Sequence, residues 1–164
     1  MEHYRLLVAW NQRLNLTRVI AEPDAVRKHY AESVALARSL PDGIVTVADI
    51  GSGPGFPGVP IAIVRPEMQV TLVESHQRKA VFLREATADL SNCRVLAVRA
   101  EDLAERFDVL VSRAVTPAEI AALVPRLAPQ AWMLMSADDL GSTWNQIQKD
   151  PCIAFHVKQP AVIL

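Results

Sequence analysis

The stretch DIGSGPGFPGVP, Asp49 to Pro60, decides how this chain is read. It packs four glycines and three prolines into twelve residues, directly behind the apolar, β-branched run IVTVADI, Ile44 to Ile50. Glycine permits positive φ and close approach of a ligand to the backbone. Pro54 and Pro57 fix φ on either side, so the turn holds its shape before any ligand arrives. The run before it reads as a buried strand, and Val59 to Val64 after it as a short helix.

Working outward, four more apolar runs read as strands: QVTLVES (Gln69 to Ser75), RVLAVRAE (Arg94 to Glu101), FDVLVSRAV (Phe107 to Val115) and AWMLMSA (Ala131 to Ala137). Segments of helical period lie between most of them, such as HQRKAVFLREATADL, His76 to Leu90. Strands alternating with helices imply right-handed βαβ units, a mostly parallel sheet and helices on both faces. The fold class is α/β, Rossmann-like. In such sheets ligands sit beyond the carboxyl ends of the strands.

Upstream, Leu6, Leu7, Trp10 and Leu14 share one helical face. A second helix starts near Pro23 with a stripe of Val26, Tyr30, Val34, Ala37 and Leu40, and PDG at Pro41 to Gly43 ends it. Residues 1–42 therefore read as a small helical extension and residues 43–164 as the sheet domain, together one compact unit. The tail IAFHVKQPAVIL reads either as two short strands or as one strand and a stub.

Composition narrows the function classes. With 51% apolar residues in 164, the chain can bury a substantial core. A net charge of −1 excludes nucleic-acid binding by bulk charge, so any such role rests on a local patch. Residues 1–30 carry Arg5, Arg13, Arg18, Arg27 and Lys28 against Glu2, Glu22 and Asp24, more the mark of a solvated helix face than of a nucleic-acid patch. Cys93 and Cys152 have no CxxC spacing, and the four histidines show no metal-ligand spacing, so no metal is expected. Neither a membrane span nor a signal peptide is legible. A soluble, cytoplasmic monomer is the expectation.

The glycine spacing discriminates between ligands. In a dinucleotide fingerprint, GxGxxG, the third glycine would fall at Phe56, and there is no GxxxxGK[ST] for a P-loop. GxGxG after the first strand, with an acid closing the second, is the arrangement that serves S-adenosylmethionine. Glu74 is that acid, 23 positions after Gly51, and its carboxylate can accept from both ribose hydroxyls. A tight turn with an ordinary acidic strand end is the alternative. Loop and acid together, in a βαβ setting, favour the ligand.

These residues also carry a family resemblance. WNQRLNLT (Trp10 to Thr17), DIGSGPGFPGVPIAI (Asp49 to Ile63), VRAEDL (Val98 to Leu103) and FDVLVSRA (Phe107 to Ala114) resemble the glucose-inhibited division protein B family, over roughly residues 4 to 137. The resemblance implies the class I S-adenosylmethionine-dependent methyltransferase fold and methylation of guanine N7 in 16S ribosomal RNA, with that RNA or the small ribosomal subunit as partner. It implies that Gly51, Gly53, Gly55 and the backbone around Phe56 line the methionine and ribose part of the cofactor site. Glu74 would hold the ribose, and Ala100 and Glu101 would flank the adenine. Arg113 would stand where cofactor and acceptor meet, with Arg99 near the RNA side.

Three features depart from the family. HYAES, His29 to Ser33, has Glu32 where the family has aspartate; MSADD, Met135 to Asp139, lacks the family's lysine; and the chain is shorter at both ends. Guanine N7 carries an in-plane lone pair and no proton, so its methylation needs positioning and no general base. Arg113 stays protonated and cannot serve as a base; a fork onto a carboxylate or phosphate suits it. His29 and Trp10 read as packing residues, and Asn11, Asn15 and Thr17 as braces of the first helix end. A same-fold enzyme with another acceptor, or a binding protein without turnover, remain the alternatives at this level.

Overall fold

The computed structural model describes residues 2–113 and 115–135, and the backbone of 153–157. Among the described residues six strands form one sheet: β1 (Thr46–Ile50), β2 (Gln69–Val73), β3 (Cys93–Leu96), β4 (Val109–Arg113), β5 (Ala131–Met135) and β6 (Ile153–Val157). Their order is β3-β2-β1-β4-β5-β6 and every pairing is parallel. The chain winds outward from β1 to β3, then returns to place β4 beside β1. That reversal opens a crevice at the carboxyl ends of β1 and β4.

Alternation along the strands builds two apolar layers. Val47, Val70, Leu72, Val109 and Val111 face one side and meet Leu6, Leu7, Leu36, Ile61 and Phe82. Those partners come from α1 (Glu2–Leu14), α3 (Glu32–Ser39), α4 (Gly58–Val64) and α5 (Gln77–Ala86). Ala48, Ile50, Val73, Leu110 and Met133 face the other side and meet Ile120, Leu123 and Leu127 of α6 (Pro117–Leu127). A capping box starts α6: Thr116 Oγ1 accepts from Glu119 N, and Glu119 accepts from Thr116 N at 3.0 Å. Each buried leucine of this kind contributes roughly 1.5–3 kcal/mol.

The second helix is not uniform. A short α2 (Glu22–Ala25) runs into a π-helical turn, Val26–Ala31, and then into α3. The wider turn shifts the phase of the apolar stripe. Ala25 is fully buried, whereas Val26, expected in the stripe, is 45% exposed.

The third strand also ends earlier than its apolar run. It stops at Leu96, and Ala100–Asp102 form a single 3₁₀ turn. Among the described residues β3 is an edge strand paired with β2, and none of them extends it on its far side. Arg126 instead takes the turn's carbonyls, donating to Ala100 at 3.1 Å, Glu101 at 3.0 Å and also Leu103. In the tail the described residues form the strand β6, and the remainder of IAFHVKQPAVIL lies outside the described residues. Cys152 and the stretch Ser136 to Asp139 lie outside the described residues. Among the described residues no helix is long and apolar enough to cross a membrane.

Candidate cofactor and acceptor cleft

The carboxyl ends of β1, β2 and β4 open into a cleft of about 370 Å³, within the range of small-ligand sites. Its floor is the glycine loop. Gly51 and Ser52 donate backbone N–H groups to the Val73 carbonyl at 3.0 and 3.1 Å, which ties the loop to β2. Gly55 N closes the turn onto Ser52 O at 2.7 Å, and Ser52 Oγ donates to Asp49 O at 2.8 Å.

Gly53 is where a ligand would approach. Its φ is +53°, and an added Cβ would have only the Gly51 carbonyl near it, at 3.7 Å, with open space beyond. Its N–H donates to Glu74 Oε2 at 2.9 Å, and His76 N–H donates to Glu74 Oε1 at 2.7 Å. Glu74, at the end of β2, is buried yet lines the cleft. Each carboxylate oxygen has a second lone pair. The remaining acceptor positions therefore suit a ligand carrying two adjacent hydroxyls, as the ribose of an adenosyl compound does.

Gly58 serves a different need. A Cβ there would fall 2.3 Å from Leu72 Cδ2 and 2.7 Å from Asp49 Oδ2. The close approach lets Gly58 N–H reach Asp49 Oδ2 at 3.0 Å. Asp49 is fully buried, its Oδ1 has no hydrogen-bond partner among the described residues, and burial lifts its pKa from 3.8 to about 7. The Glu74 carboxylate adds to that rise.

Phe56 packs between the loop and the N-terminal helices. Its ring stacks on His29 at 4.8 Å and meets Tyr30 edge-on at 4.9 Å. His29 Nε2 and Thr17 Oγ1 are 3.0 Å apart, and both residues line the cleft. Thr17 is held by Asn11, whose Oδ1 accepts from Thr17 N at 2.8 Å and whose Nδ2 donates to Thr17 O at 3.1 Å. The segment expected to brace the end of α1 thus also forms a cleft wall.

Arg113, at the end of β4, lines the same cleft. Its Nη1 donates to Lys28 O at 2.7 Å and its Nη2 pairs with Glu32 Oε2 at 3.1 Å, both side chains being about 15% exposed. The fork expected to meet a ligand is thus engaged by the π-helical turn and α3. The glutamate that departs from the family pattern is the arginine's partner. Lys79, in the first turn of α5, adds a cation to the lining.

The structure thus brings Gly51, Gly53, Phe56, Glu74 and Arg113 to one cleft. Gly55 lies beneath it, with φ +93° and its Cβ position filled by Val59 and His3. Arg99, Ala100 and Glu101 are not part of this lining; they lie in the turn after β3, with Arg99 and Glu101 exposed. Cys93 opens β3 at the opposite end of the sheet. Asp49, Thr17, His29, Glu32 and Lys79 were not singled out from sequence as site residues. Asp49 adjoins the glycine loop and Glu32 stands in HYAES, which are the two signals that pointed their way. No group of three metal-ligating side chains occurs among the described residues.

The family model described as "GidB: rRNA small subunit methyltransferase G" matches residues 1–150. The chain is 46% identical over 118 residues to ribosomal RNA small subunit methyltransferase G of Xanthomonas axonopodis pv. citri (strain 306), covering 70% of this chain and 55% of that protein. It is 44% identical over 131 residues to the protein of the same name from Roseiflexus sp. (strain RS-1), covering 75% and 55%. The chain thus spans about half the length of these curated relatives. Among solved structures, an S-adenosylmethionine-dependent O-methyltransferase of Thermotoga maritima superposes with TM-score 0.62 at 16% identity, over 88% of this chain and 56% of that one. A methyltransferase of the same cofactor class from Aquifex aeolicus gives TM-score 0.53 at 20% identity, over 68% and 65%. At these identities the likeness is one of fold.

Proposed function

The chain belongs to the GidB family, rRNA small subunit methyltransferase G, and from that premise we propose that it transfers a methyl group from S-adenosylmethionine to guanine N7 of 16S ribosomal RNA. The observation that carries this reading is the pairing of Gly53 and Glu74 on the floor of a cleft at the sheet's topological switch point. The cofactor, when bound, supplies a methyl group on a sulfonium, which is its own leaving group.

The chain's own residues bind and align. Glu74 takes the ribose hydroxyls on the lone pairs left by Gly53 and His76. Gly51, Gly53 and the Phe56 backbone shape the methionine and ribose side, with Gly55 supporting them from beneath, and Ala100 and Glu101, in the turn after β3 and outside that lining, are assigned to the adenine. Arg113 and Arg99 stand on the acceptor side. With both Nη atoms of Arg113 engaged by Lys28 and Glu32, its remaining N–H groups serve the ligand. No residue is required to take a proton, because N7 presents a lone pair; alignment alone supplies up to ~7–11 kcal/mol of rate enhancement. An RNA substrate of this kind supports a cytoplasmic site of action in this reading.

The test is methyl transfer from labelled S-adenosylmethionine to naked 16S rRNA and to small-subunit particles, with the modified base mapped by mass spectrometry. Label at a single guanine N7 is expected. Label on another atom, or cofactor binding with no transfer to either RNA, overturns the acceptor assignment.

A further inference from the structure

His3 lies on α1, 51 residues before the loop it touches. It is 4% exposed, and both ring nitrogens have partners inside the protein. Nε2 is 2.9 Å from the Pro54 carbonyl and Nδ1 is 2.6 Å from the Tyr30 hydroxyl. A carbonyl only accepts, so Nε2 carries the proton and Nδ1 accepts from Tyr30. Burial keeps the ring neutral, its pKa lowered to about 4.

The contact is steric as well as polar. A Cβ on Gly55 would lie 3.0 Å from His3 Nε2, so ring and loop backbone are in direct contact. His3 and Tyr30 both meet Phe56 edge-on, at 5.3 and 4.9 Å, while His29 covers its face. The loop residues Pro54 to Phe56 are thus held against three rings of the N-terminal helices, His3 and Tyr30 away from the cleft lining and His29 within it. The cleft side, at Gly53, is left open.

We infer that His3 is a positioning residue for cofactor binding, a neutral imidazole strut that links Tyr30 to Pro54 and holds the glycine loop in its ligand-ready shape. The inference rests on the proposed use of that loop for S-adenosylmethionine. It makes residues before the sheet part of the binding machinery, although His3 does not line the cleft. Without the strut the Pro54 carbonyl and the Tyr30 hydroxyl lose a buried partner each, and the loop samples shapes that cannot bind.

The experiment compares the full chain with His3→Leu, His3→Gln and a control, Leu127→Val, on the opposite face of the sheet. S-adenosylhomocysteine affinity is measured by calorimetry, melting temperature in parallel, and KM and kcat in the transfer assay. His3→Leu, which fills space without polar atoms, is expected to raise Kd by about tenfold or more. His3→Gln carries a donor and an acceptor on one side chain and is expected to return to within about threefold. KM for the cofactor rises in His3→Leu with kcat nearly unchanged, while Leu127→Val lowers the melting temperature and leaves Kd alone. Equal affinities in all variants, or losses in His3→Leu and Leu127→Val that both track melting temperature, overturn the inference. If the unaltered chain fails to bind S-adenosylhomocysteine, the functional reading fails first and the inference falls with it.

Discussion

Replacing Asp49 with asparagine is expected to stabilise the protein above neutral pH. The carboxyl is fully buried beneath the glycine loop, with one oxygen on Gly58 N–H and the other without a partner among the described residues. Burial raises its pKa from 3.8 to about 7. Each unit is worth about 1.4 kcal/mol, so ionising Asp49 in the folded state costs up to about 4 kcal/mol. The sign follows from proton counting. Between pH of about 4 and about 7 the folded state keeps a proton that the unfolded chain has released, so stability falls as pH rises through that window and levels off above it. Asparagine keeps an acceptor for Gly58 N–H and cannot ionise, but its amide nitrogen brings a new donor, which costs about 1–2 kcal/mol. A net gain of about 2 kcal/mol at pH 8 remains. Urea unfolding of both proteins at intervals from pH 4.5 to 8, without ligand, measures it. The difference between the two curves reports the charge at position 49. Stability curves that run parallel across the window would refute the reasoning.

Other expectations follow from single contacts. Glu74→Gln leaves one acceptor oxygen where two backbone N–H groups now bind, and S-adenosylhomocysteine affinity measured by calorimetry should fall by about tenfold or more. Gly58→Ala places a methyl group 2.3 Å from Leu72 Cδ2, and chemical unfolding should register a loss of about 2–4 kcal/mol. Glu32→Leu strands the mostly buried Arg113 guanidinium at a cost of about 3 kcal/mol; a double change with Arg113→Leu should cost less than the two single changes added, as a denaturation cycle would reveal. Burial pushes the Cys93 thiol up to about 12. In a Cys152→Ser background it should react with an aromatic disulfide at pH 8 only after unfolding, and rapid labelling of the native protein would contradict that.

Much of the fold was legible because local rules govern it. The β-branched runs, the helical spacing between them and the PDG turn act within about ten residues, and each element formed where its pattern lay. The errors sit where a neighbour distant in sequence sets the boundary. β3 stops at Leu96, an edge strand with β2 as its partner among the described residues, after which Gln77 takes the Ala97 carbonyl and Arg126 those of Ala100 and Glu101. Val26 turns outward because a π-helical turn changes the phase of its helix.

The candidate site divides the same way. GxGxG after a strand, with Glu74 closing the next, is a local signature, so the sequence by itself pointed to a ligand class and to the end of the sheet where the cleft opens. Only the tertiary structure decided which side chains hold that loop and which surround it. His3 reaches Pro54 across 51 residues, Arg113 reaches Lys28 across 85, and Gly58 meets Asp49 where the start of α4 also packs against Leu72 of β2. No periodicity encodes such meetings. They exist because burying two apolar layers against one twisted sheet leaves the N-terminal helices a single place to pack, and that place is the wall of the cleft.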